Sequence, residues 1–365
     1  MLVSSFFASL FISLLVALAI VLTQRLHGHL THDSHSGVQK LHAVPTPRIG
    51  GIALAGGMLA GGPFLPEEAK GLWAVTMLAA TPAFAAGLIE DITKRVGVKA
   101  RLLATILAGL IFVLLTGYRI DRVDLPLIDA LLGWAPLAVV FTAVAIGGIA
   151  NAVNLIDGVN GLASGTSIII ATGLALVAWS VGDTTLTAVC LLVAGALAGF
   201  FLLNFPLGKL FLGDAGAYAT GFMLAVLSVA LPQRNIEVTP LIGLLALSYP
   251  VIETMVSIHR RMRREGTNPG TPDRLHLHSL IYRSRARRLA EWLGAPHLRN
   301  ALTGLLLLAL PMISTAGMVL FHASTALVLA SVFFMTLIYL AIYRRVALLR
   351  RIPVTGMGEA RGVGA

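Results

Sequence analysis

The sequence predicts an all-α protein, a polytopic membrane helix bundle of about eleven transmembrane helices. Composition is the first ground. Hydrophobic residues make up 57% of the 365 and charged residues 12%, whereas a soluble domain carries about 25% charged residues. Mean hydropathy is +0.86. The second ground is pattern: apolar runs near transmembrane length, about 20 residues, alternate with short polar stretches along the chain. The third is charge placement. An amino terminus on the periplasmic side puts every Lys and Arg on the cytoplasmic side except Lys70, Arg119, Arg122 and Arg234. That is the positive-inside bias, and it leaves the carboxyl terminus cytoplasmic.

The same distribution argues against nucleic acid as a partner. Net charge is +10, but the basic residues cluster beside apolar runs, without aromatic interleaving or a helix-turn-helix pattern. The lone Cys190 lies in an apolar run, which excludes a disulfide framework and a cysteine metal site. Residues 1–343 read as one transmembrane domain and 344–365 as a basic cytoplasmic tail.

Residues 1–23 are apolar, with no preceding basic residue and no small-residue cleavage site, as in an uncleaved first span. Residues 24–48 form a polar cytoplasmic loop with His27, His29, His32 and His35, whose irregular spacing favours a solvated loop over a metal site. A second span, 49–64, carries Gly57, Gly61 and Gly62, small residues that let helices approach closely. The third ends near Ile89 and gives way to loop 90–101, with Glu90, Asp91, Lys94, Arg95, Lys99 and Arg101. A fourth span, about 102–117, leads to an outer stretch, 118–134, suited to the membrane interface. The fifth ends in loop 151–163. Spans six and seven, about 162–181 and 184–203, turn at Gly182 and Asp183 and return to loop 204–216. The eighth reaches Leu231, the ninth covers about 240–258, and an arginine-rich loop, 259–299, precedes two last spans near 301–321 and 324–343.

This topology gathers four polar patches on the cytoplasmic face: Glu90 with Asp91, residues 151–163, residues 211–216 and residues 273–279. Carboxylates on short glycine-bearing loops suit magnesium, which takes one or two protein carboxylates and fills its shell with water and substrate phosphate. Asp91, Asp157 and Asp214 are the candidates. Helix starts beside Gly158, Gly161, Gly213 and Gly216 would aim N–H groups at a phosphate. Lys94, Lys99, Arg101 and the His276/His278 pair add donors for an anionic substrate. Each patch alone has a plainer explanation. Glu90 and Asp91 suit a salt-bridged loop, the arginines an orientation signal, the histidines exposed positions, and Asp214 a helix cap. Their coincidence on one face is what favours a site.

At these residues the chain resembles the polyprenyl-phosphate N-acetylhexosamine-1-phosphate transferases, the family of phospho-MurNAc-pentapeptide translocase. The pieces stand in the family's order: Pro45-Thr-Pro-Arg-Ile-Gly-Gly51, Glu90-Asp91, Asn151-Ala-Val-Asn-Leu-Ile-Asp-Gly158, Phe211-Leu-Gly-Asp-Ala-Gly216 and Asp273-Arg-Leu-His-Leu-His278. The resemblance implies a reaction needing magnesium, with manganese as a substitute, at the cytoplasmic face of the bacterial inner membrane. The phosphate of undecaprenyl phosphate attacks a UDP-N-acetylhexosamine and UMP leaves. UDP-GlcNAc is the first expectation, from the span count and cytoplasmic tail, ahead of other UDP-N-acetylhexosamines or UDP-MurNAc-pentapeptide.

Carried over by position, Asp214 is the metal ligand, and Glu90 and Asp91 match the pair implicated at the lipid phosphate. Asp157, Asn151 and Asn154 line the nucleotide and metal side, and His276 and His278 meet the diphosphate or sugar. Lys99, Arg101 and Arg274 join Asn151 and Asn154 as substrate contacts. Three departures stand out: Glu90 replaces an aspartate, Asn160 stands where many relatives have a second aspartate, and Ser279 replaces a third histidine. A homodimer through a glycine-bearing span is a further expectation. The rival class is a transporter or lipid flippase, which would place ionisable groups near the membrane midplane and show broken spans or inverted repeats. A CDP-alcohol phosphotransferase would need a tighter run of aspartates.

Overall fold

The computed structural model describes residues 2–32, 45–263 and 275–348. These are helical, with no β-strand among them. The chain runs α1 (Leu2–Leu22), α2 (Gln24–Thr31), α3 (Gly50–Gly61), α4 (Glu67–Thr93), α5 (Val98–Thr116), α6 (Pro126–Leu132) and α7 (Ala135–Ile156). It continues through α8 (Leu162–Ser180), α9 (Thr184–Asn204), α10 (Gly213–Arg234), α11 (Ile242–Ala246) and α12 (Ser248–Met262). After α13 (Leu277–Ile281) and α14 (Arg287–Trp292) come α15 (Arg299–Leu307), α16 (Ala309–Phe321) and α17 (Thr325–Leu348).

Nine helical segments among the described residues are long and apolar enough to cross a membrane, against the eleven expected. Two expected spans account for the difference. The second is 12 residues of α-helix followed by a 3-residue 3-10 turn, about 24 Å of rise against a hydrocarbon core near 30 Å. The ninth is interrupted at Leu247, between α11 and α12. Pro250, in the first turn of α12, has no N–H to give the carbonyl of Ala246, so the ladder breaks there. The polar loop after α1 also differs: its first part is α2, where the His27 ring bonds Thr31 Oγ1 at 2.7 Å and the Ile20 carbonyl at 3.1 Å.

Helix α10 is the axis of the bundle. Its residues from Ala215 to Pro232 are all buried, as expected of a helix apolar on every side, and it packs on α3, α4, α7 and α8. Small residues make the contacts close. A side chain on Gly87 of α4 would sit 2.5 Å from the backbone of Ala215, and one on Gly51 of α3 would sit 2.5 Å from Gly216 N. The glycines of α3 serve packing within the chain, Gly57 against Ser9 and Ala196 and Gly61 against Leu192.

Polar contacts between segments gather at two ends of the bundle. At one, Asp183 caps α9 by accepting from Leu186 N at 2.9 Å, and it takes Arg234 Nε at 2.7 Å and Asn235 Nδ2 at 3.1 Å. Burial would raise the Asp183 carboxyl, but Arg234, the Leu186 N–H and Asn235 hold it below the usual carboxylate range. Asp124 accepts from Thr325 and Arg122 at the same end. The other end holds the finish of α4, α7 and α9 and the start of α5, α8 and α10.

Candidate active site

Two sequence segments far apart in the chain are zipped together at that second end. Phe211 N donates to the Pro47 carbonyl, Gly50 N to Phe211 O and Gly51 N to Leu212 O, each at 2.9 Å. The pairing sets Arg48 beside the first turn of α10. Gly213 makes the bend with φ +73°, and a side chain there would fall on the Arg48 carbonyl and lie 2.6 Å from Asp91 Oδ2. Only glycine fits both the left-handed backbone and the crowding.

Asp91, at the end of α4 and 0% exposed, caps α10 from outside: Asp214 N donates to its Oδ1 and Ala215 N to its Oδ2, both at 2.9 Å. The N–H groups at this helix start are therefore engaged by a carboxylate of the protein, where the sequence suggested they would face a phosphate. The Asp91 charge is favourable at a helix N-terminus. Arg48 Nε also donates to Asp91 Oδ1 at 3.1 Å.

Asp214 is the second node. Its side chain is 13% exposed and takes Arg101 from α5, Arg48 Nη2 at 3.5 Å and Asn154 Nδ2 from α7 at 3.1 Å. Asp157 follows α7 directly, and its carboxyl accepts no hydrogen bond among the described residues. Burial, then the charges of Asp214 and Asp91, push it up to about 7, against the pull of Arg48. The loop it heads is braced by Asn204, whose Oδ1 accepts from Gly161 N at 2.7 Å while its Nδ2 donates to Leu210 O at 2.8 Å. Asn160, at the position of the missing aspartate, ties to the Pro206 carbonyl at 3.1 Å.

The histidines arrive from the other side of that loop. His276 and His278 stack, with ring centroids 5.4 Å apart and planes 11° from parallel. His278 lies against Gly158, where an added Cβ would be 2.7 Å from its Cε1. Both rings are buried, unlike the exposed positions their spacing suggests.

Not every expected site residue joins this group. Asn151 bonds Thr105 Oγ1 and the Gly147 carbonyl, both at 2.8 Å, within the α5–α7 contact. Glu90 accepts from Val96 N at 2.8 Å and shapes the turn after α4, within electrostatic reach of Arg101 but, among the described residues, with no direct bond to the group. Lys99 is exposed, and Arg274 and Asp273 lie outside the described residues, as do His35, Lys40 and His42. Two residues enter that sequence reasoning passed over. Arg48 was legible as the one charged residue of the Pro45–Gly51 segment, and Glu253 as a lone acid inside an expected span, where an ionisable group is costly.

The donor set fits a hard divalent cation in its chemistry. Among the described residues Asp157 is a carboxyl without a hydrogen-bond donor, crowded by two others, and a nearby cation relieves that repulsion. Among the described residues no three acids, histidines or cysteines form a preformed metal cage. Magnesium requires none, since one or two carboxylates suffice beside water and phosphate. Asp157 and Asp214 are the residues that would hold it.

Fold and site together define a multi-pass membrane protein with a carboxylate–guanidinium centre at one end of its helix bundle. The sequence profile of glycosyl transferase family 4 matches residues 73–232, from α4 to α10. The probable undecaprenyl-phosphate N-acetylglucosaminyl 1-phosphate transferase of Bacillus subtilis strain 168 is 30% identical over 248 residues, 66% of this chain and 66% of that protein. The undecaprenyl-phosphate alpha-N-acetylglucosaminyl 1-phosphate transferases of Escherichia coli K12 and Yersinia pestis are each 30% identical over 154 residues, 41% of this chain and 42% of theirs. The chain belongs to glycosyl transferase family 4, among the polyprenyl-phosphate hexosamine-1-phosphate transferases. The matches span about two thirds or less of the relatives' lengths.

Proposed function

We propose that this protein transfers N-acetylglucosamine-1-phosphate from UDP-GlcNAc to undecaprenyl phosphate, with release of UMP, at the cytoplasmic face of the bacterial inner membrane. The observation that carries this is the joining of Asp91, Asp214, Arg48 and Arg101 from four segments beside the Asp157 loop, at one end of the helix bundle. Phosphoryl transfer asks a protein chiefly to position and to neutralise charge, and paired arginines held by carboxylates are suited to phosphate oxygens. The proposed topology keeps the amino terminus periplasmic and the carboxyl terminus cytoplasmic, with α3 and the interrupted α11–α12 segment counted as the two remaining crossings. A homodimer is compatible with it and is tested by crosslinking in membranes.

In the mechanism we infer, Arg48 and Arg101 bind the anionic substrates while Asp91 and Asp214 fix their guanidinium planes. Asp91 holds the start of α10 in register with α3. Asp157, its proton held up to about neutral pH, gives that proton up when a cation or a cationic group approaches. Bound magnesium would supply charge neutralisation at the transferring phosphate. The second ionisation of a phosphate monoester lies near 6, so the lipid phosphate is largely ionised at neutral pH and needs no strong base. A transporter finds less support: one span is interrupted and carries the buried Glu253, but Asp91, Asp157 and Asp214 gather at helix ends.

Asp157 gives the metal proposal a test independent of turnover. A raised folded-state carboxyl costs stability as pH climbs from the unfolded value toward about 7, and the full cost stands above it. A cation that binds the ionised form therefore stabilises more at high pH. Magnesium is expected to raise the melting temperature of the purified protein more at about pH 8 than at about pH 6, and Asp157→Asn is expected to remove the difference. Equal shifts at both pH values would take Asp157 out of the metal site. Release of UMP from UDP-GlcNAc, dependent on undecaprenyl phosphate and magnesium, tests the function itself.

A further inference from the structure

Glu253 stands on α12 beyond the break at Leu247, 1% exposed and inside the bundle. Its two oxygens serve three donors on two segments, the start of α13 and α17. Oε1 meets His276 Nδ1 at 3.1 Å, Leu277 N lies 3.2 and 3.3 Å from Oε1 and Oε2, and the Tyr339 hydroxyl of α17 donates to Oε2 at 2.7 Å. A buried carboxylate is a poor fastener, because packed apolar residues join helices without the desolvation cost. What it adds is direction. A carboxylate only accepts, so the proton on the facing ring nitrogen of His276 is fixed at Nδ1, and Nε2 is left on the far side of the ring. His276 stacks on His278, and His278 abuts Gly158, next to Asp157. A contiguous line of contacts thus runs from Tyr339 through Glu253 and the histidine pair to the Asp157 loop.

We propose that Glu253 is a positioning residue for this site: by accepting from Nδ1 it sets the tautomer and ring orientation of His276, so that the stacked histidines face the donor's phosphates beside Asp157, with Tyr339 steadying the carboxylate. The proposal rests on the transferase function above. Glu253→Met, similar in volume and unable to accept, is expected to lower kcat about 10- to 100-fold, the scale for losing a group that orients a histidine. KM for the UDP-sugar is expected to move less than about threefold. Glu253→Gln keeps an acceptor oxygen toward Nδ1 and is expected to restore most of the loss. In a His276→Ala background Glu253→Met should cost nothing further, because residues acting through one another are non-additive. Losses that multiply in the double variant would make Glu253 a structural clamp and overturn the proposal. Nitrogen-15 NMR of labelled histidine in detergent micelles decides the matter without turnover. The His276 signals, assigned from His276→Ala, should report a proton on Nδ1 that is lost in Glu253→Met, or a displaced Nδ1 resonance in Glu253→Gln where Glu253→Met does not fold. Unchanged His276 signals would also overturn it. A protein that releases no UMP, yet shows the coupled His276 signals, would fail the transferase function and leave the Glu253–His276 coupling standing.

Discussion

Asp214→Asn is expected to lower turnover about a thousandfold, the scale for removing a preorganised charge from a phosphoryl-transfer site, with no change in membrane insertion. Asparagine matches aspartate in size, and α10 stays buried along its length, so the helix packs as before. The loss is of charge at the junction of three side chains. Arg101, Arg48 and Asn154 all donate to this one carboxylate, and an amide has one acceptor oxygen and an NH2 that opposes the guanidinium groups. Both arginines would then lose their anchor, and a carboxylate proposed above as a magnesium ligand would go with them. Measured as initial rates of UMP release beside the amount of protein recovered from membranes, normal turnover in Asp214→Asn would remove Asp214 from the site.

Gly213→Ala is expected to cost about 3 kcal/mol of stability and to abolish turnover. A left-handed residue with a side chain costs about 1–2 kcal/mol, and forcing an atom into a filled space adds about 1–3 kcal/mol. The Cβ would meet the Arg48 carbonyl and Asp91 Oδ2, both part of the site. Gly182 provides the control. It has φ +76° and open space, with nothing within 4 Å of the point an added Cβ would occupy, so Gly182→Ala bears the backbone cost alone and should leave turnover intact. Thermal unfolding of the two variants in the same detergent checks this, and equal shifts would mean that the crowding around Gly213 is relieved by a small movement.

Much of this architecture was legible in the sequence because membrane spans are written in one-dimensional hydropathy. The apolar runs at α1, α4, α5 and α7 to α10 gave their helices directly. Nine of the eleven expected spans are helical segments of crossing length; the other two are the short glycine-rich α3 and the α11–α12 segment that Pro250 interrupts, where length and hydropathy part company. The site was partly legible. Asp91, Arg101, Asn154, Asp157 and Asp214 come together as their shared helix ends implied. Asn151 looked equivalent to Asn154, but it sits three residues, about 4.5 Å, further from the end of α7, where its side chain meets Thr105 instead of Asp214. Glu253 stood out only as a lone acid in an expected span; its link to the site was not readable, because its partners lie 23 and 86 positions away, a distance no local pattern encodes.

The measurement that bears most directly on the proposed function is UMP release by the purified protein with magnesium and undecaprenyl phosphate, across UDP-GlcNAc, other UDP-N-acetylhexosamines and UDP-MurNAc-pentapeptide. The expected result is UMP formed with UDP-GlcNAc above the other donors, and none when the lipid phosphate is withheld. Folded protein that releases no UMP from any of these donors would contradict it.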